Sequence, residues 1–94
     1  MGLSRTDKGG EILRAQDHGT VWEVVYRDGR GRANSVYFDH RCFAQFYEGV
    51  VGGSFYEGYQ FGRGAQYVSK QLAGLRIVVD GEPFNQVVRL EEDG

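Results

Sequence analysis

The chain has 94 residues, of which 40% are hydrophobic and 26% are charged, and its formal net charge at pH 7 is −2. This length fits one domain, and the composition argues against a disordered chain, because such chains have fewer apolar residues and a larger net charge. The slightly acidic balance argues against a general electrostatic attraction to nucleic acid or to an acidic membrane, although a local basic patch remains compatible with it.

Cysteine content and hydropathy indicate the compartment. Cys42 is the single cysteine, so it cannot form an internal disulfide. A secreted domain of this size usually carries several disulfides, and we therefore expect a cytoplasmic protein. No apolar run approaches the ~20 residues needed to span a bilayer, and no signal peptide is visible. We expect no membrane segment.

The chain is predicted to form one domain between two short tails. Residues 1–10 are polar and end in two glycines, which is typical of a disordered terminus. The acidic end over residues 92–94 is predicted to fray. We therefore expect a single α+β domain over residues 11–91.

The first part of this domain is predicted to form three strands joined by tight turns. They are expected over residues 11–15, 20–27 and 32–38. The second of them is rich in β-branched and aromatic residues, which is the composition of a strand. An Asp-Gly pair at 28–29 follows it, and this pair is a strong signal for a hairpin turn.

Two short helices are predicted on either side of a glycine-rich segment. Asp39 is the expected N-cap of the first helix, whose apolar residues recur at helical spacing up to a predicted end at Gly49. Residues 49–64 contain six glycines among sixteen residues, with aromatics between them. Because glycine disfavours a regular helix, we expect an ordered loop there, with at most one short helical turn. The second helix is predicted over residues 65–73.

A hairpin is predicted to close the domain, with strands over residues 75–79 and 84–90 and a turn at 80–83. The element order is therefore β-β-β-α-α-β-β. Strands joined by tight turns indicate an antiparallel sheet. The sequence predicts an α+β fold in which an antiparallel sheet of about five strands carries two short helices on one face.

Both faces of the predicted sheet carry apolar residues. Trp22 and Val24 alternate along one strand with Val21 and Val25, and the closing hairpin shows the same alternation. Two short helices cannot easily cover two faces. We therefore expect the second face to be buried in a homodimer.

An arginine cluster is the first candidate functional site. Arg27, Arg30 and Arg32 flank the predicted hairpin turn, and Arg41 opens the first helix. The planar guanidinium fork suits phosphate, and Tyr37 is a nearby ring on which a base could stack. These five residues form the predicted nucleic-acid site. The other interpretation is a solvated hairpin tip, and the acidic balance of the chain favours it.

The glycine- and aromatic-rich segment is the second candidate site. It contains the second copy of a repeated sequence, Phe-Tyr-Glu-Gly, at 46–49 and 55–58. Tyrosine suits a protein-binding surface because its ring is apolar and its tip is polar. A structural loop with core aromatics is one alternative, and a small-molecule pocket under the segment is another. The residues predicted to contact a partner protein are Tyr56, Tyr59, Phe61 and Arg63.

No metal or catalytic constellation is recognisable in the sequence. His40 and Cys42 are two residues apart, but zinc needs three or four ligands and His18 is the only other histidine. The helix dipole could lower the pKa of Cys42, but no acid, base or oxyanion hole accompanies it. We therefore expect no metal and no cofactor. The leading interpretation is a non-enzymatic module that binds an unidentified protein, and a nucleic-acid-binding module is the alternative.

Overall fold

The computed structural model describes residues 9–82 and 85–91, without the side chains of 61–63, 82, 85 and 86. The predicted disordered tail lies outside the described residues except for Gly9 and Gly10, which belong to the first strand. The predicted frayed end over residues 92–94 also lies outside them.

Five strands and three helices make up the described part of the chain. The strands are β1 (Gly9–Asp17), β2 (Val21–Asp28), β3 (Ala33–Asp39), β4 (Arg76–Glu82) and β5 (Asn85–Leu90). The helices are α1 (His40–Val51), a π-helix (Glu57–Arg63) and α2 (Ala65–Leu72). The strands form one sheet in the order β3-β2-β1-β4-β5, and every pairing is antiparallel. The predicted α+β fold with a five-stranded antiparallel sheet is confirmed.

The core lies between one face of the sheet and the helices. At its centre the indole of Trp22 stacks on the ring of Phe43 from α1, with centroids 4.2 Å apart and planes 4° apart. Burial of these side chains supplies most of the driving force that holds α1 and α2 on the sheet. The largest fully buried side chains are Trp22, Phe43, Ile12, Leu72, Ile77, Val24, Val36 and Val68.

β1 contains a β-bulge that the sequence analysis did not predict. The pairing of β1 with β2 shifts between Ile12 and Arg14, which leaves Leu13 without a partner in β2. The extra residue changes the alternation of the strand. As a result Ile12 and Ala15, three residues apart, are both buried in the core beneath the helices.

α2 and the chain after it cover the edge of β1 beyond the bulge. The backbone N–H of Ala15 donates to the hydroxyl of Ser69 at 2.9 Å. Ile12 donates its N–H to the carbonyl of Leu75 and accepts the N–H of Gly74. These bonds satisfy backbone groups that an uncovered edge would leave to solvent.

The turn between β2 and β3 forms where it was predicted, and Asp28 organises it. Its Oδ1 accepts the backbone N–H groups of Arg30 and Arg32 at 2.8 and 2.9 Å, and its Oδ2 accepts from the side-chain amide of Asn34 at 2.6 Å. Hydrogen bonds from the backbone N–H of Arg32, and then of Arg30, lower the pKa of Asp28. The ionised carboxylate therefore fixes the backbone from which both arginines project.

The first helix ends later than predicted. α1 continues to Val51, and its C-cap is Gly52, which has φ 88° and donates its N–H to the carbonyl of Glu48. Gly49 is an exposed residue inside the helix, so the predicted end there is wrong. The physical reason is packing: Val50 and Val51 lie against the core, and their burial extends the helix past Gly49.

The closing hairpin also differs from the prediction. β4 runs through Glu82, so residues 80–82 belong to the strand and not to the turn. Asp80 pairs with Val87 across the ladder, and its carboxylate lies 3.7 Å from the guanidinium of Arg89. The strand pairing therefore outweighs the local preference of Asp80 and Gly81 for a turn.

The outer face of the sheet, opposite the helices, carries both polar and apolar side chains. Glu23 accepts a hydrogen bond from the hydroxyl of Ser35 and lies 2.7 Å from Nε2 of His18. The bond from Ser35, and then that from His18, lowers the pKa of Glu23. Val25 on this face is 5% exposed without any partner chain, whereas Tyr37 is 60% exposed.

Replacement of Gly49 and of Gly52, near the end of α1, by alanine should change stability in opposite directions. Gly49→Ala adds a helix-favouring residue where a Cβ meets nothing within 4 Å, so it should raise the free energy of unfolding by about 1 kcal/mol. Gly52→Ala forces a Cβ into the left-handed region and should lower it by about 1–2 kcal/mol. Urea unfolding measures both. A loss of stability in Gly49→Ala would contradict a helix end at Gly52.

Candidate functional site

A groove lies between α1 and the segment that follows it. One wall is a single face of α1, and it consists of Arg41, Ala44, Gln45 and Glu48. The opposite wall consists of Phe55, Tyr56, Tyr59 and Gln60, and His40 also lines the groove. The volume is about 580 Å³, which lies within the range of ~300–1,000 Å³ typical of ligand sites.

The second wall is positioned by a return of the chain after α1. Gly52 ends the helix, and the backbone N–H of Phe55 then donates to Oε2 of Glu48 at 3.0 Å. The π-helix runs from Glu57 to Arg63, and its C-cap Gly64 donates its backbone N–H to the carbonyl of Tyr59. π-helices are rare and occur frequently at functional sites. The loop predicted over this segment is thus largely helical.

Close packing of the π-helix on α1 depends on Gly58. A Cβ at this position would lie 2.8 Å from the hydroxyl oxygen of Tyr47, which is buried in α1. Real Cβ atoms essentially never approach other atoms this closely, so a larger residue would require the side chain of Tyr47 or the π-helix to shift. The glycine in the second copy of Phe-Tyr-Glu-Gly therefore lies against the tyrosine of the first copy.

His40 joins the groove to the core through two hydrogen bonds. The indole N–H of Trp22 donates to Nδ1 of His40 at 3.3 Å, and Nε2 of His40 lies 2.6 Å from the carbonyl of Gly19. An indole N–H can only donate, so Nδ1 must accept and the proton must be on Nε2. Both ring nitrogens of His40 are therefore engaged.

Asp17 holds Tyr59 in place behind the groove. The hydroxyl of Tyr59 donates to Oδ2 of Asp17 at 3.2 Å, and Oδ1 of Asp17 accepts the backbone N–H of Gly19 at 2.9 Å. The hydrogen bond to Asp17 raises the pKa of Tyr59. The ring of Tyr59 also meets Trp22 edge to face, with centroids 6.1 Å apart. Tyr59 is a fixed part of the wall.

The predicted partner-binding residues are partly brought together. Tyr56 and Tyr59 lie on the same wall of the groove, and Tyr56 is 68% exposed. The side chains of Phe61 and Arg63 lie outside the described residues, although their backbone belongs to the π-helix.

The predicted nucleic-acid residues are not brought into one patch. Arg27, Arg30 and Arg32 are exposed around the turn between β2 and β3. Arg41 follows the other end of β3, about 20 Å away at the usual rise of a strand, and it lines the groove. Tyr37 is exposed on the outer face of the sheet, where it pairs with Glu23 of β2.

Sequence reasoning missed most of the first wall. Arg41, Ala44, Gln45 and Glu48 recur at the three- and four-residue spacing of one helix face, and this pattern was a usable signal. The role of Asp17 had no local signal, because its partner Tyr59 is 42 residues away in the sequence.

Cys42 is exposed at the start of α1, and its environment does not activate it. A hydrogen bond to Asp39 raises the pKa of Cys42, contrary to the lowering by the helix dipole that the sequence suggested. Within residues 9–82 and 85–91, no three His, Cys, Asp or Glu residues are grouped so that they could hold a metal ion. No helix in the same residues has the length and apolar character that crossing a membrane requires.

Two substitutions at His40 should separate its acceptor role from its bulk. His40→Ala leaves the N–H of the fully buried Trp22 without an acceptor, which should lower the free energy of unfolding by about 1–3 kcal/mol. His40→Asn places an amide oxygen near the position of Nδ1 and should retain most of the stability. Urea unfolding followed by fluorescence of Trp22, the single tryptophan, measures both. Equal losses in the two variants would contradict the acceptor role.

Comparisons with known proteins assign no function to the groove. The chain matches no protein-family model, no curated protein and no solved structure in these comparisons. Its function must be inferred from its own residues.

Proposed function

We propose that this protein is a small, non-enzymatic binding module of the cytoplasm, and that the groove between α1 and the π-helix takes a segment of a partner protein. The observation that carries the proposal is Tyr56, whose ring is 68% exposed on the wall of the groove. Phe55 beside it is fixed against Trp22, with centroids 6.0 Å apart. Aromatic side chains on a fixed backbone are the residues that contribute most to protein–protein binding.

The shape of the groove favours a protein segment over a small molecule. Pockets for small ligands bury 70–90% of the ligand in the usual case, and this groove is open along one side between two helical walls. A peptide can lie along such a surface and leave its other side in solvent or against the rest of its own protein.

Three side chains on or behind the walls of the groove have their polar atoms engaged, which supports a non-enzymatic role. Both ring nitrogens of His40 form hydrogen bonds, and the hydroxyl of Tyr59 donates to Asp17. The remaining carboxylate oxygen of Asp17 accepts a backbone N–H. General acid–base catalysis needs a group that can reach the substrate proton, and these three side chains are engaged in holding the walls.

The separation of the arginines weighs against the nucleic-acid alternative. Three of them surround one hairpin turn, and Arg41 is at the far end of β3. Tyr37, the predicted stacking partner, lies beside Glu23, whose carboxylate would repel phosphate. A protein partner remains the better-supported proposal.

A second contact surface belongs to the same proposal: a homodimer through the outer face of the sheet. Val87 and Tyr37 support it, because they are 61% and 60% exposed on that face. Static light scattering at micromolar concentration should give the mass of a dimer. Tyr37→Glu should then give a monomer, and Tyr56→Glu, on the groove, should remain a dimer. A monomeric mass for the unmodified chain would contradict the homodimer.

Removal of the exposed ring in the groove should abolish most peptide binding. Peptides would be selected from a random phage-displayed library and their affinities measured by isothermal titration calorimetry. Tyr56→Ala should weaken binding about tenfold or more, as loss of an aromatic hot spot does. Tyr37→Ala is the matched control, because it removes a tyrosine of similar exposure from the opposite face. If Tyr37→Ala weakened binding and Tyr56→Ala did not, the contact surface would be the sheet and not the groove.

A further inference from the structure

We infer that the groove recognises an acidic segment of its partner, in which a carboxylate binds Arg41 and an apolar side chain fills the space between Ala44 and the aromatic wall. This inference rests on the proposed function and adds the chemistry of the partner to it.

The charges of the groove lie at opposite ends of its α1 wall. Arg41 and Glu48 are seven residues apart on the same helix face. At the rise of an α-helix this separation is about 10 Å. A ligand in the groove therefore meets a cation near the start of α1 and an anion near its end.

Of these two charged side chains, Arg41 is the one that can use all of its hydrogen-bonding atoms to bind a ligand. Glu48 already accepts the backbone N–H of Phe55 at 3.0 Å through one carboxylate oxygen. The guanidinium of Arg41 forms no hydrogen bond or ion pair among the described residues, although it has a through-space attraction to Asp39. Its planar fork matches a carboxylate in a two-bond geometry.

Asp39 does not fill the role of that carboxylate. It is the N-cap of α1, and its Oδ1 accepts the backbone N–H of Cys42 at 2.7 Å. This bond from the backbone N–H of Cys42 keeps Asp39 at the helix end and is the largest cause that lowers the pKa of Asp39. Among the described side chains, no carboxylate forms an ion pair with the guanidinium of Arg41, which leaves its fork open to a carboxylate of a bound partner.

The middle of the groove suits an apolar side chain. Ala44 is the smallest residue of the α1 wall and stands between its charged ends, and Phe55 and Tyr59 present aromatic rings from the other wall. The side-chain amides of Gln45 and Gln60 form no hydrogen bond among the described residues. They can therefore bind the peptide groups of an extended segment, which need both donors and acceptors.

Local charge must provide this selectivity, because the charge of the whole chain opposes it. The net charge of −2 repels an acidic ligand weakly at long range. Among the described side chains that line the groove, Arg41 is the one Lys or Arg that can give a preference for an acidic segment, and reversal of its charge should reverse the preference.

The test uses two pools of phage-displayed peptides that share their apolar residues and differ only in charge: Asp and Glu in one pool, Lys and Arg in the other. The unmodified protein should retain the acidic pool about tenfold better than the basic pool, as a charge-assisted hydrogen bond would provide. Arg41→Glu should abolish or reverse this ratio. Arg27→Glu is the matched control, since it changes net charge equally at an exposed site on the hairpin, and it should leave the ratio nearly unchanged.

The outcomes separate the inference from the proposed function. Two outcomes would overturn the acidic partner and leave the groove as a contact surface. In one, the two pools are retained equally and their retention still depends on Tyr56. In the other, the ratio of acidic to basic retention is unchanged in Arg41→Glu. A ratio that falls equally in Arg27→Glu and Arg41→Glu would also overturn it, because general charge would then be the cause. If the unmodified protein retained neither pool better than the Tyr56→Ala variant does, the proposed function and the inference would both be overturned.

Discussion

The burial of Trp22 is the constraint on which the rest of the structure depends. Its ring is 0% exposed, stacks on Phe43 of α1, and meets Phe55 and Tyr59 edge to face. Its indole N–H cannot be left without a partner in this position, because a buried donor without an acceptor costs about 1–3 kcal/mol. His40 supplies the acceptor. The side chain that completes the core therefore also fixes the residue at the start of the groove and the rings of its second wall.

The two copies of Phe-Tyr-Glu-Gly show why the site could not be predicted from local sequence. In the first copy Tyr47 is buried in α1, and Gly49 is exposed. In the second copy Tyr56 is exposed on the groove, and Gly58 packs on the hydroxyl of Tyr47. The four residues are identical, so their different environments come from what surrounds them. The first copy packs against the sheet, and the second copy packs against the first copy.

The parts of the fold that could be predicted are those with local causes. Strand composition, the Asp28 turn and the Asp39 cap all act within a few residues, and each is observed. The bulge at Leu13 and the helix end at Gly52 depend on packing against distant elements, and neither was predicted. The π-helix belongs to the second group, since glycine-rich segments disfavour helices unless tertiary contacts hold them.

The same distinction between local and long-range causes applies to the candidate site. Long-range contacts engage His40 on the wall and Asp17 behind it: His40 with Trp22, and Asp17 with Tyr59. Four other groups of the groove make no hydrogen bond within the described part of the chain. They are the guanidinium of Arg41, the amides of Gln45 and Gln60, and the exposed ring of Tyr56. In the proposed binding role the walls are fixed before a partner arrives, whereas the unbonded side chains of Arg41, Gln45 and Gln60 lose rotamer freedom on association.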